Sequence, residues 1–288
     1  MAANRSVVVT GASTGIGWGT VKVLVARGFE VFGSVRKQTD ADRLANEFGP
    51  AFIPLLMDVT DHAAVARAAE QVGARLGHRR LAGLINNAGI AVPGPLLHLP
   101  LEEYRRQLEV NLIAPLGIIQ AFAPLLGTDR GREGAPGRIV NISSVAGKVG
   151  VPFLGAYVAS KHALEGMSES LRRELMLYGI DVIVIGPGAV ATAIWDKAEG
   201  EEYAPYRATD YGTILDRFAE YFIAEGRKGL APEAVGEVVY QALTAAKPKV
   251  RYAVVGKKLK DWTLPRLLPK RMVDRLIARQ TGLLAAKG

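Results

Sequence analysis

Tyr157 and Lys161 stand four residues apart, and Ser144 lies thirteen residues before the tyrosine, with Asn111 further upstream. On a helix, positions i and i+4 share one face, so the ammonium can favour the phenolate of its neighbour. A hydroxyl such as Ser144 can hydrogen-bond a substrate oxygen while its charge changes, and Asn111 can hold a water that replenishes a proton. That chemistry is proton exchange at a substrate oxygen. A Tyr-x-x-x-Lys by itself is commonplace, and the same pair on a solvated helix would do nothing. Its weight comes from the elements that must position it.

The first of these is a β-branched run, Ser6–Thr10, that breaks into Gly11-Ala12-Ser13-Thr14-Gly15-Ile16-Gly17 and then into a helix beginning near Trp18. One glycine permits a tight turn and another lets the backbone approach a phosphate. The helix that follows offers unpaired N–H groups and the positive end of its dipole. The expectation is a dinucleotide pyrophosphate over Gly11, Ser13, Thr14, Gly15, Ile16 and Gly17. The same residues also fit G-x-S-x-G, the elbow that exposes a serine nucleophile in α/β-hydrolases, here Ser13. Such an elbow normally follows several strands, whereas almost nothing precedes this one.

Further β-rich runs at Glu30–Val35, Ala51–Met57, Gly83–Asn86, Arg138–Ile142, Asp181–Ile185 and Val250–Val255 alternate with helical periodicity at Trp18–Arg27, Ala41–Phe48, Asp61–Leu76, Leu101–Leu126, Ala156–Tyr178 and Pro232–Ala246. Apolar strands separated by helices predict an α/β fold, one doubly wound parallel sheet with helices on both faces. A chain of 288 residues of this kind is expected to be a single domain, 1–288. Thr128–Gly137 reads as a surface loop. The polar, tyrosine-bearing insertion 191–229 lies where a substrate lid belongs, outside the carboxyl ends of the strands.

Composition narrows the classes. With no cysteine there is no disulfide or thiolate nucleophile, and His62, His78, His98 and His162 lack metal-ligand spacing, so no metal is expected. Residues Met1–Ser6 carry no charged-then-apolar leader, and the expected compartment is the cytoplasm. The most apolar stretch, Leu112–Gly127, is broken by Pro115, Gln120 and Pro124 and reads as a buried helix rather than a membrane span. The net charge of +8 is concentrated at 249–288, where eleven Lys or Arg face only Asp261 and Asp274. No nucleic-acid recognition module accompanies that basic tail, so no nucleic-acid partner is expected.

From Ser6 to Thr192 the chain resembles the classical short-chain dehydrogenase/reductase family. The resemblance is carried by Thr10-Gly11-x-x-x-Gly15-x-Gly17, Asp58-Val59, Asn86-Asn87-Ala88-Gly89, Asn111, Ser144, Tyr157-x-x-x-Lys161 and Pro187-Gly188 through Thr192, all in order. It implies a Rossmann fold, a nicotinamide cofactor, and oxidation of an alcohol or reduction of a carbonyl. Ser144, Tyr157 and Lys161 then take the catalytic roles, with Asn111 in support. Asp58, Val59, Asn87, Ala88, Gly89, Pro187, Gly188, Val190 and Thr192 join the glycine turn, Tyr157 and Lys161 around the cofactor. A free tyrosine titrates near ~10, so work near neutrality asks Lys161 and the cationic nicotinamide for a fall of roughly 3 units, about 4 kcal/mol.

The end of the second strand, Ser34-Val35-Arg36, offers no acid for a ribose hydroxyl and one guanidinium for a 2′-phosphate, which favours NADP(H) over NAD(H) unless Arg36 is merely solvated. Pro232 through Tyr252 resembles the hydroxysteroid and retinol dehydrogenase branch, which implies a lipophilic alcohol or ketone. Relatives pair through the helices expected at 101–126 and 156–178, so a homodimer or homotetramer is expected, although the stripe Leu164, Met167, Leu171, Leu175 can equally be core. In the tail, Leu268, Met272, Leu276 and Ile277 recur at helical spacing among Lys270, Arg271, Arg275 and Arg279. Packing over the substrate pocket or against a partner subunit is the favoured reading for that helix, with peripheral contact to an anionic bilayer as the alternative. A noncatalytic nucleotide-sensing protein of the same fold is the remaining rival.

Overall fold

The computed structural model describes residues 5–192, 203–257 and 262–284. Seven strands form one parallel sheet: β1 (Arg5–Val9), β2 (Phe29–Val35), β3 (Phe52–Leu56), β4 (Gly83–Asn86), β5 (Arg138–Ile142), β6 (Asp181–Pro187) and β7 (Arg251–Val254), ordered β3-β2-β1-β4-β5-β6-β7. The chain reverses its direction of travel across the sheet between β1 and β4, the crevice where doubly wound sheets bind ligands. Register is continuous there, with Val7 opposite both Val31 and Gly83. Every residue of β2 is buried, as a strand covered on both faces requires.

Each face has its own core. One is built from Val8, Phe32, Leu84 and Ile139 of the strands, covered by α3 (His62–Leu76), by the long helix 101–128 and by α6 (Gly155–Glu174). The other gathers Val7, Val9, Val31, Ile85 and Ile183 under α1 (Gly15–Ala26), α2 (Gln38–Phe48) and α8 (Pro232–Thr244). Helices α1 and α8 approach so closely that a Cβ on Gly19 would stand 2.6 Å from the backbone of Pro232.

The helix 101–128 comprises α4 (Leu101–Leu108) and α5 (Ala114–Ala123), with two wider, π-wound stretches at Glu109–Ile113 and Pro124–Thr128. It is long and apolar enough to cross a membrane by length and composition, more so than its Pro-broken sequence indicates. Half of its most apolar part is buried, however, with Ile118, Phe122 and Leu126 closing the core, as in a soluble core helix.

The region read as a polar, tyrosine-bearing insertion contains a full helix, α7 (Gly212–Arg227), whose Leu215 and Phe218 are buried. They meet Val92, Leu99, Phe153, Ala156, Tyr203 and Tyr206 in a third, smaller cluster. Residues 193–202 of the expected lid lie outside the described residues, as do 258–261 and 285–288 of the basic tail. The tail helix α9 (Lys270–Thr281) is present, but rotated from the sequence reading. Its half-buried side carries Val273 and Ile277, and Thr281 is buried, whereas Met272 and Leu276 are exposed. Leu283 beyond it packs on the α7 cluster.

Candidate active site

The turn after β1 is shaped by what it leaves out. Gly11 and Gly15 have positive φ (+66° and +57°), and a Cβ on Gly17 would lie 2.0 Å from the Gly11 carbonyl oxygen. Gly11 N–H donates to Ser34 Oγ at 2.9 Å, tying the turn to the end of β2. Thr14 precedes α1 without a side-chain cap, and the first turn carries no acid. The helix N-terminus therefore points its N–H groups and positive dipole end at an open cradle, the arrangement a pyrophosphate needs. Thr192, brought in from beyond β6, closes against Gly15.

The Asn86–Gly89 segment is fastened over this turn by polar contacts. Thr10 Oγ1 accepts the N–H groups of Asn87 and Ala88, both at 3.0 Å. Asn87 Nδ2 donates in turn to the carbonyls of Thr10 (2.9 Å) and Gly11 (3.1 Å). Gly188 N–H donates to Val254 O at 2.9 Å, and Val190 pairs with Leu230, so the segment after β6 is held in place. Within the turn, the Ser13 carbonyl accepts Arg43 Nη2 at 2.6 Å. Arg43, on α2, carries no motif of its own and was not legible in the sequence.

Arg36 is exposed at the end of β2 and acts on Asp58, just beyond the neighbouring β3. The Asp58 carboxyl is held below its usual range. The main-chain and hydroxyl hydrogen bonds from Thr60 contribute most, burial opposes them, and the charge of Arg36 adds to the lowering.

The expected catalytic residues do converge. Ser144 ends the segment after β5 and opens a single helical turn, Val145–Gly147, its Oγ accepting Ala146 N–H at 3.1 Å. Tyr157 and Lys161 lie on one face of α6, with the Lys161 ammonium 5.7 Å from the tyrosine ring centre. Lys161 Nζ also donates to Ile142 O at 2.8 Å, pinning the helix to the end of β5. Burial pushes this lysine down to about 8. Burial likewise pushes the Tyr157 phenol up, and a hydrogen bond with Ser144 only partly opposes it. The protein by itself therefore moves the tyrosine opposite to the fall expected from the sequence, because desolvation outweighs its neighbours.

Asn111 sits in the first π-wound stretch, buried, and its side chain is fully committed. Oδ1 accepts Ile90 N–H at 2.9 Å, while Nδ2 donates to Ile90 O (2.9 Å) and Ser160 Oγ (3.1 Å). It braces the segment after β4 against α6. Ahead of Tyr157, Phe153 adopts φ +61°, a costly conformation for an aromatic residue, held by edge contacts with Tyr211 and Phe218. An apolar wall from the α7 cluster thus adjoins the first turn of the catalytic helix.

These features define a doubly wound nucleotide-binding fold with a Ser-Tyr-Lys site at the carboxyl ends of its strands. The family model described as "short chain dehydrogenase" matches residues 5–202, and the chain belongs to that family. It is 42% identical over 272 residues to the NADPH-dependent 3-dehydrocapnine reductase of Ornithobacterium rhinotracheale, covering 94% of this chain and 95% of that one. Retinol dehydrogenase 16 of Mus musculus is 31% identical over 289 residues, with 95% and 88% covered. A solved short-chain dehydrogenase from Streptomyces avermitilis superposes with a TM-score of 0.74 at 28% identity, covering 98% of this chain and 96% of that structure. The protein is an NAD(P)-dependent oxidoreductase acting on CH–OH groups, of the retinol and hydroxysteroid dehydrogenase-like branch. The hydrolase and noncatalytic readings of the sequence are thereby set aside.

Proposed function

We propose that the protein reduces the carbonyl of a lipophilic ketone, or oxidises the matching secondary alcohol, with NADP(H) as its cofactor. The observation that carries the reading is the convergence of Ser144, Tyr157 and Lys161 beside an uncapped helix N-terminus cradled by Gly11, Gly15 and Gly17. The nicotinamide, when bound, supplies or accepts the hydride and carries positive charge in its oxidised form. Tyr157 gives its hydroxyl proton to the substrate oxygen in reduction and takes it back in oxidation. Ser144 steadies that oxygen, and Lys161 offsets negative charge on the phenolate oxygen. Because the Asn111 side chain is spent on Ile90 and Ser160, a replenishing water falls to its main chain, where π-winding spreads the helical hydrogen bonds.

Arg36 and Arg43 support the choice of NADP(H). Arg43 reaches the Ser13 carbonyl of the turn, Arg36 follows β2, and no acid stands at Ser34-Val35-Arg36 to accept a ribose hydroxyl. The NADPH dependence in the name of the 42% identical relative agrees with this choice. The aromatic wall of Phe153, Tyr206, Tyr211 and Phe218 supports a lipophilic substrate, with 191–229 as its lid. A cysteine-free chain suits a reducing compartment, which we assign as the cytoplasm. Association into a homodimer or homotetramer completes the proposal; the stripe Leu164 and Leu175 is buried within the protomer, so pairing would use exposed neighbours such as Ile113 and Leu116.

The test is NADPH oxidation against a carbonyl panel of long-chain 3-keto amphiphiles, retinoids, steroids and aryl ketones, compared with short polar ketones. Turnover confined to the long apolar members is expected. Turnover confined to the short polar ketones would refute the lipophilic pocket, and faster turnover with NADH would refute the cofactor choice.

A further inference from the structure

Directly behind Ser144 lies a charged cluster that the hydride and proton chemistry does not use. Glu165 is 5% exposed, deep on α6, one helical turn past Lys161 and two past Tyr157. Its carboxylate accepts Arg251 Nε (3.0 Å to Oε2) and Nη2 (2.8 Å to Oε1), a two-pronged contact, and also Lys148 Nζ at 3.0 Å. Burial alone would raise this carboxyl, but the hydrogen bonds and charges of Arg251 and Lys148 hold it below its usual range.

The cluster grips the catalytic segment at three successive places. Ser143 Oγ donates to Glu165 Oε1 at 3.0 Å, and Arg251 Nη2 donates to the main-chain carbonyl of Ser144 itself at 3.2 Å. Gly147 lies so close that a Cβ there would stand 2.6 Å from Ser143 Oγ and 2.7 Å from Glu165 Oε1. Arg251 comes from β7, and its guanidinium is covered by the Trp262 ring at 4.1 Å, with Arg266 at 4.3 Å from the same ring. A covered, water-poor guanidinium forms stiffer and stronger hydrogen bonds than a solvated one. Buried ion pairs add little net stability over apolar residues of the same shape, so stability alone is a poor account of this one. What it holds in place is the better account.

We propose that Arg251 and Glu165 are positioning residues that fix the main chain of Ser144, and hence its hydroxyl, and that Trp262 ties the C-terminal segment to that clamp. The inference rests on the proposed role of Ser144. Arg251→Met, Arg251→Lys and Trp262→Leu would be made in the full chain, with and without Ser144→Ala. The readouts are kcat, KM and, separately, the NADPH dissociation constant. Arg251→Met lowers kcat by about 10- to 100-fold, the scale of a small misplacement of a reacting group, and leaves NADPH affinity within about threefold. Arg251→Lys restores only part of the loss, because an ammonium cannot make the two-pronged contact and reach Ser144 together.

The decisive comparison is the double variant. In the Ser144→Ala background Arg251→Met costs less than about twofold further, since the group it positions is gone. A purely structural arginine would lower activity by the same factor in both backgrounds, and that result overturns the proposal. Should Arg251→Met fail to fold, Trp262→Leu, which keeps the ion pair, carries the same comparison with a smaller loss. Full kcat in the folded Arg251→Met protein, with Ser144→Ala impaired, overturns this proposal alone. A silent Ser144→Ala removes the serine's role and this proposal with it.

Discussion

At the scale of single residues, the site is defined by a conflict between burial and charge. Tyr157 is pushed up and Lys161 down to about 8, both chiefly by desolvation. Replacing Tyr157 by Phe keeps the ring and deletes the exchangeable proton, so kcat should fall about 10²- to 10⁴-fold while NADPH still binds, as fluorescence titration and steady-state kinetics can show. Lys161 yields a pH prediction with a definite sign. Below pH 8 its ammonium is charged; as pH rises through about 8 it is lost, and carbonyl reduction should decline. Lys161→Arg should move that alkaline limb upward, because a guanidinium keeps its proton throughout this range. The linkage to stability runs the other way. Between about 8 and the unfolded value of 10.5, the unfolded chain binds a proton the folded one does not, so this residue makes stability rise with pH. Urea titrations across that window should show a rise that Lys161→Met abolishes.

At the scale of elements, the proposed cofactor site depends on where β2 ends and α2 lies relative to the glycine turn. Arg36 extends from the end of β2, and Arg43 reaches the Ser13 carbonyl from α2. Arg36→Ala should weaken NADPH by about 1.5–3 kcal/mol, the worth of a charge-assisted hydrogen bond, and leave NADH nearly unchanged. Equal losses for the two cofactors in calorimetric titration would show that Arg36 does not read the 2′-phosphate. Helix α7 illustrates what local patterning hides. Leu215, Phe218 and Phe222 recur at helical spacing, but with Asp216, Arg217, Glu220 and Tyr221 among them the stretch reads as part of a polar insertion. Its helicity is secured by the facing Phe153 and Val92, distant in sequence.

At the scale of the whole molecule, the basic tail is part of the fold. Arg251 is buried against Glu165 and Trp262, α9 packs Val273 and Ile277 inward, and Leu283 joins the cluster beside the catalytic helix. Deleting Leu268–Gly288 should therefore lower both the melting temperature and carbonyl turnover. Differential scanning calorimetry and kinetics test this. If deletion instead abolishes co-sedimentation with anionic vesicles while stability and turnover stay intact, the exposed Met272 and Leu276 among their arginines serve a membrane and the packing role is wrong.

The sequence by itself determined the sheet, the phosphate turn and the Ser144-Tyr157-Lys161 constellation. Each depends on short-range rules: β-branched runs make strands, glycines permit positive φ at Gly11 and Gly15, and i, i+4 spacing puts Tyr157 and Lys161 on one helix face. Element ends moved by up to about four residues: α1 and α2 begin three residues earlier than read, and β6 ran on to Pro187 by pairing with β7. Only the tertiary structure decided that Asn111 is occupied by Ile90, that Arg43 joins the turn, that Arg251 and Glu165 stand behind Ser144, and which face of α9 is inward. Those are contacts between residues from 21 to 107 positions apart, such as Ile90 with Asn111 and Ser144 with Arg251. The directions of the Tyr157 and Lys161 shifts belong here too, because desolvation depends on how many atoms surround a group, and that number exists only once the chain is packed.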